Sequence, residues 1–448
     1  MTTPMSHMQH LRALLTLGLP MIGSQVAQFA IVMTDTVMLG WYDLDALGAQ
    51  VLGGGVFFIL FILGAGFAFA VMPMVARAES AGDRPQVRRI TRMGMWVSVI
   101  YGLVTIPPLF WAEAVLITLG QDPELAAIAQ EYTRLMGLSI FPALVALVLR
   151  NYLAGLERTQ VVLAITLLSV LLNAVVNYAL IFGNWGAPEL GIRGAALASV
   201  AVHVLTLLLT AGYVARALPE HAMFERLWRR DADAMAQVFR LGWPIGLTNL
   251  AEVGLFNASQ IMLGWLGKLP LAAHGIALNI SALAFMFHLG LSGAATVRAG
   301  RALGRNDPVG LRHGAQVAIC VSLAFTALTI FVFLTFGDVL VGSFIAPDDP
   351  QRDAVIALGA VFLAAAAVFQ LADACQAMAL GLLRGIQDTR VPMVIAAISY
   401  WAIGAPVSYL LGFPLGWEGV GVWIGLAVGL GVAAVLLMHR FWTRGVRI

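Results

Sequence analysis

Charge is scarce in this sequence. Only 11% of its 448 residues are charged, where a soluble domain carries about a quarter. Lysine occurs once, at Lys268, and Leu269 follows it. No GxxxxGK[ST] phosphate loop exists, so ATP-driven pumping loses its support. GxSxG and HExxH are also missing, which removes the serine elbow and the zinc-protease helix. Energy is then expected from an ion gradient, with no organic cofactor. Cysteine occurs twice, at Cys320 and Cys375, each inside an apolar run. No disulfide framework is implied. The net charge of +2 comes with arginines scattered between apolar runs, so no nucleic-acid partner is indicated. The start, MTTPMSHMQHLR, lacks the basic and short apolar regions of a cleaved signal, so the first run is expected to stay as a helix.

Apolar length is what the chain has in abundance. Hydrophobic residues make up 60% of it, and the mean hydropathy is +0.87. Runs of twenty and more apolar residues predict an all-α polytopic membrane protein. About twelve spans can be drawn: 12–41, 50–76, 90–117, 126–150, 160–183, 191–215, 236–265, 272–300, 312–341, 354–382, 391–412 and 418–440. The most charged stretch, 216–240, breaks the series in the middle. An N-terminal six-helix lobe (1–215), a linker (216–235) and a C-terminal six-helix lobe (236–448) are expected.

One stretch recurs. Residues 17–41 read LGLPMIGSQVAQFAIVMTDTVMLGW, and residues 241–265 read LGWPIGLTNLAEVGLFNASQIMLGW. Pro20 and Pro244 correspond at a shift of 224 (244 − 20), and each is expected to bend its helix. Further on, LAGLERT at 153–159 resembles LRGIQDT at 383–389, and LGIRGA at 190–195 resembles LGWEGV at 415–420. Six spans per half is an even number, so the halves start on the same side. They are expected to be parallel repeats about a pseudo-two-fold axis, with substrate held between two lobes.

Arginines mark one set of loops: Arg77, Arg84 and Arg88; Arg158; Arg226 and Arg229; Arg305; Arg384 and Arg390; Arg440, Arg444 and Arg447. Acids mark the other set, among them Asp43, Asp122, Asp348, Asp349 and Glu418. The positive-inside rule puts the first set, the linker and both termini in the cytoplasm of a bacterial inner-membrane protein. Trp41, Trp111, Trp185, Trp265 and Trp417 then form an outer aromatic belt.

Ionisable groups inside a bilayer cost several kcal/mol and are rarely idle. Asp35, Glu252 and Asp373 stand deep in spans. Glu252 aligns with Gln28 in the repeat, so the acid has moved seven residues, about two helical turns along one face. A buried carboxylate takes a proton or holds a cation. The plain alternative is an acid that pins helix packing. Asn173 and Asn177, four apart on one face, offer amide oxygens beside a carboxylate for a hard cation such as Na⁺. They could equally serve interhelical hydrogen bonding. Asp373 and Gln376 repeat that pattern more weakly. Asn257 and Gln260, near Glu252, are expected to line a cleft or pack. So is the pair Tyr400–Trp401. His203 and His288 read as core histidines, and Glu131 with Arg134 as a local ion pair.

These motifs resemble the MATE (multidrug and toxic compound extrusion) family, and most of all its NorM-like bacterial branch. The resemblance covers nearly the whole chain. It rests on the repeated LGLP start with Asp35, LNAVVNYALIFG around Asn173 and Asn177, LGWPIGLTNLAEVGLF around Glu252, QLADACQAMALGLLRGIQDTRVPM around Asp373, and YWAIGAP from Tyr400. It implies Na⁺- or H⁺-coupled antiport of organic, mostly cationic, drugs. Asp35, Asn173 and Asn177 would then form the first-lobe cation site, and Glu252 and Asp373 the second-lobe site. The presence of both second-half acids sets the chain apart from the branch related to DNA-damage-inducible transporters. The runner-up is a flippase for a lipid-linked precursor of the same superfamily. It is disfavoured because the deep charges read as acidic and the arginines as lying at span ends. A receptor or channel fits the two-lobe repeat less well. The expected working unit is a monomer in contact with membrane lipid.

Orientation is directly testable. Cytoplasmic reporters fused in the linker and after the last residue should be active, and periplasmic reporters silent. The reverse pattern at either point would overturn the arginine-based topology.

Overall fold

The computed structural model describes residues 5–347 and 349–447. Asp348, assigned above to an acidic loop, lies outside the described residues, as does the side chain of Arg447. Among the described residues the regular structure is helical throughout. The first half contains α1 (His7–Tyr42), α2 (Leu44–Ser80), α3 (Arg84–Phe110), α4 (Ala112–Thr118), α5 (Pro123–Gly137), α6 (Ile140–Gly155), α7 (Thr159–Phe182) and α8 (Ile192–Ala217). The second contains α9 (Ala232–Leu266), α10 (Lys268–Gly304), α11 (Pro308–Gly342) and α12 (Arg352–Gly385). It continues with α13 (Arg390–Ala397), a π turn (Ile398–Gly404), α14 (Ala405–Gly412) and α15 (Glu418–Thr443).

Among the described residues ten segments are long and apolar enough to cross a membrane, with Arg390–Gly412 taken as one, and the bent pair α5–α6 makes an eleventh. The 35-residue α9 completes the expected twelve. It is less apolar because Arg240, Asn249, Glu252, Asn257 and Gln260 lie along it. The expected fourth span is broken: α5 and α6 meet at 47°. Pro142 cannot donate to the carbonyl of Leu138, so the helical ladder fails there. By the LAGLERT and LRGIQDT motifs, its counterpart in α12 is Ala372, and α12 runs on without a break.

The backbone repeats along with the sequence. Gly82 and Asn306, again 224 apart (306 − 82), both adopt left-handed φ, +75° and +51°. Glycine and asparagine tolerate that conformation best. The next residues, Asp83 and Asp307, each cap the following helix by accepting from a backbone N–H, of Gln86 and Gly310. Glu157 and Gln387, from the second matched motif, are left-handed at +63° and +64°. The five tryptophans assigned to a belt are all more than half exposed.

The chain divides into two compact units, but not at the linker. One unit is residues 23–246; the other is residues 1–22 with 247–448. The expected division into 1–215 and 236–448 is therefore corrected. Each boundary falls within three residues of Pro20 or Pro244, and α1 and α9 stay helical through those prolines. The cause is close backbone packing. A Cβ on Gly66 would meet Gly246 N at 2.3 Å, and a Cβ on Gly290 would meet Ile22 Cα at 2.5 Å. Both partners are shifted by 224 (290 − 66 and 246 − 22). The second helix of each half therefore grips the start of the opposite half's first helix. Lipid tails are as apolar as leucine, so such small-residue contacts carry membrane packing.

The linker docks on residues 23–246 as well. Arg92 donates to the carbonyls of Met223 and Ala222 at 2.8 and 2.6 Å, and Trp96 Nε1 to that of Leu227 at 2.7 Å. Tyr152 and His221 Nδ1 are 2.5 Å apart. Arg89 grips Asp231 and holds that carboxyl below the usual carboxylate range. This clamp is in place at neutral pH and is lost only as pH falls through the lowered value.

Gly66→Val and Gly290→Val should each destabilise the detergent-solubilised protein by about 1–3 kcal/mol, the usual cost of overpacking. Gly55, whose added Cβ would meet nothing within 4 Å, serves as control. Melting curves check this, and a Gly290→Val curve matching Gly55→Ala would refute the close-packing account.

Candidate functional site

Within residues 23–246, α1 carries Asp35 against α7. Asn173 and Asn177 each turn their amide nitrogen to one oxygen of that acid. Both donate to Asp35 Oδ1, at 2.9 and 2.5 Å. The two asparagines are fully buried and Asp35 nearly so. Ser199 on α8 is a further hydrogen-bonding neighbour of the acid. The amide oxygens of Asn173 and Asn177 are buried with no protein partner. Such orphaned acceptors are uncommon in folded proteins. They fit a hard cation or a proton carried on the acid, once the amides rotate to present oxygen. Among the described residues no group of three His, Cys, Asp or Glu could hold a metal. A cation site here is thus one carboxylate with neutral oxygens, as Na⁺ accepts.

The second cluster lies in the other unit. Gln376 on α12 donates to Glu252 Oε1 on α9, at a long 3.5 Å. Asp373 lies close enough to Glu252 for the two acids to feel each other's charge. Arg384 shares their neighbourhood and donates to Asn249 Oδ1 at 2.7 Å. The π turn supplies the rest. Pro406 removes a ladder bond, the helix widens, and Tyr400 turns inward, fully buried beside Glu252, Asp373 and Arg384. Trp401 turns the other way. It is half exposed, lies against Gly254 and donates to the Ala251 carbonyl at 3.1 Å. The expected aromatic pair therefore divides into one buried and one exposed residue.

Other expectations need correction. Arg384 is not a loop residue: it lies in the last turn of α12 and reaches into the second cluster. Arg150 on α6 also points inward, toward Gln28. With its amide oxygen facing Arg150, Gln28 accepts from Nη1 at 2.6 Å and from Nη2. Gln28 is the counterpart of Glu252, so each half sets an arginine against the same place on its first helix. The deep charges are therefore not only acidic. Glu131 does not pair with Arg134. It pairs with Arg193 at 2.9 Å, while Arg134 donates to the Phe110 carbonyl at 3.1 Å. Asn257 and Gln260 are exposed on α9. His288 is a core histidine, bound to Ser322 at 3.0 Å. Arginines at or just past a span end were the available signal, since a six-atom side chain reaches well beyond its own turn.

Twin helical units with buried charged clusters define a polytopic membrane protein of transporter type. The MatE family profile matches residues 20–179 and 244–410, and the chain belongs to this family. It is 46% identical over 435 residues to the probable multidrug resistance protein NorM of Rhizobium meliloti, covering 97% of this chain and 93% of that one. It is 41% identical to the protein of the same name from Agrobacterium fabrum, covering 97% and 94%. In fold it is similar to the eukaryotic MATE transporter AtDTX14, with a TM-score of 0.86, 19% identity and 98% of each chain covered. A MOP superfamily transporter from Pyrococcus furiosus, described as having a binding pocket of reverse polarity, matches at 0.86, with 20% identity and full coverage of both chains.

Asn177→Ala should remove a hydrogen bond to a charged group, worth about 1.5–3 kcal/mol. It should also abolish the rise in melting temperature expected on adding Na⁺. A melting curve with an ion titration reads both effects, and a full-sized rise in the variant would leave Asn177 as a packing residue.

Proposed function

We propose that this chain is an ion-coupled antiporter that exports organic, mostly cationic, drugs across the bacterial inner membrane, driven by Na⁺ or H⁺. The observation that carries the reading is Asp35, a buried acid clasped by two asparagines whose amide oxygens lack protein partners. A purely structural acid would be expected to leave no such acceptors behind. The relatives' names, probable multidrug resistance proteins, support the cargo class.

Asp35, Asn173, Asn177 and Ser199 form the first coupling site in this reading. Glu252, Asp373 and Gln376, with Tyr400 and Arg384, form the second. Asn257, Gln260 and Trp401, exposed on their helices, are the substrate-contact candidates. Both termini and the linker face the cytoplasm, and the chain works as a monomer. Translocation of an anionic lipid-linked precursor finds less support. The second cluster holds two acids against one arginine, and the first holds Asp35 among neutral asparagines.

An acid cannot favourably hold a cationic drug and a coupling cation together. Whatever factor the ion takes from drug affinity, the drug must take from ion affinity. Asp35→Asn and Asp373→Asn keep the shape of the side chain and remove its charge. Both should express normally and abolish ethidium efflux from energised cells, and Glu252→Gln should abolish it or shift its pH dependence. Wild-type efflux in both aspartate variants would refute the mechanism.

A further inference from the structure

We propose that the unit containing α10, α12 and α15 holds a hydrated proton path from the Lys268 end of α10 to Asp373. The path rests on the coupling role given to Asp373 above, and it adds a route and a direction to that role.

α10 carries a buried polar stripe, His274, Ser281, His288 and Ser292, at intervals of seven, seven and four. These intervals keep one helix face. The stripe changes character along its length. His288 bonds Ser322, and Ser292 donates to the Ala377 carbonyl at 2.7 Å. Nearer Lys268, neither ring nitrogen of His274 has a protein partner, and nor does the Ser281 hydroxyl. The groups facing that portion are incomplete too. Trp423 Nε1 on α15, whose ring lies 5.3 Å from that of His274, has no partner. Gln370 on α12 donates to the Ser281 carbonyl at 3.2 Å, but its own oxygen has none. One turn further, Asp373 Oδ1 has none, and the Tyr400 hydroxyl beside it has none.

Buried polar atoms are nearly always hydrogen-bonded, and where protein does not serve them, ordered water does. Here the unserved atoms follow one line, while the polar groups further along α10 are satisfied. His274 and Ser281 are about 10 Å apart along the helix, and Gln370 and Asp373 about 4.5 Å. Bridging waters span such gaps. A proton passed along them ends on Asp373, converting the carboxylate to the neutral acid. Gln376 Oε1, one turn past Asp373, is also without a partner, so the line ends within the Glu252, Asp373 and Gln376 cluster. Arg384 lies eleven residues beyond Asp373 on the same face of α12. A fixed guanidinium repels a mobile cation and closes that end. With Lys268 at the periplasmic surface, Asp373 receives protons from outside only through this path.

Cysteine accessibility tests the path without relying on transport. In a Cys320→Ala, Cys375→Ala background, Ser281→Cys should react with a small charged methanethiosulfonate at least about tenfold faster than Ala294→Cys. Ala294 is equally buried on α10 but packs toward Gly18. Gln370→Leu should slow proton-driven ethidium efflux several-fold and leave ethidium binding unchanged. Equal labelling of the two cysteines, or unchanged efflux in Gln370→Leu, overturns the path. Normal efflux in Asp373→Asn would instead refute the coupling role, and the labelling result would still stand on its own.

Discussion

A charge inside an apolar helix bundle must be met by something other than bulk water, and the rest of this structure follows from that constraint. Asp35 is met by two asparagine amides from one face of α7. Arg384 is met by Asn249, with Glu252 close by. Arg150 is met by the neutral Gln28. In each case a polar residue at helical spacing stands where the charge needs it. Unmet polar atoms remain beside the acids, among them the amide oxygens of Asn173 and Asn177 and Asp373 Oδ1. Those are the atoms that a transported or coupling species can serve.

The second constraint is the absence of a hydrophobic drive between helices in lipid. Close contact at small residues replaces it, and this explains why each unit takes in the beginning of the other half's first helix. Gly66 and Gly290 admit backbone at distances that no side chain would allow. Pro20 and Pro244 lie at the points where α1 and α9 leave one unit for the other. A proline-weakened ladder there gives each first helix a soft point between two rigid parts.

Much of this was legible in the sequence. The lone acid Asp35 and the paired asparagines pointed to residues that the structure brings together, because a four-residue spacing fixes a helix face whatever the tertiary structure. The membrane-length helices followed from apolar length, and the repeat from the shift of 224. The units were misjudged because a division along the chain cannot show that the first turns of α1 belong with α10. The arginines were misjudged because helix-end position alone does not say whether a long side chain points outward or inward. Tyr400 and Trp401 were ambiguous until the π turn separated them, although the Gly404 and Pro406 pair already signalled a disturbed helix. The break at Pro142 carried the same kind of signal.

We propose that the buried acids serve ion and drug in turn. Equilibrium binding of ethidium to the purified protein, with and without saturating Na⁺ and across pH, tests it most directly. Drug affinity should fall when the coupling ion binds, ion affinity should fall by the same factor when drug binds, and both effects should vanish in the Asp35→Asn, Asp373→Asn double variant. Drug affinity that is indifferent to Na⁺ and to pH in the wild-type protein would contradict the claim.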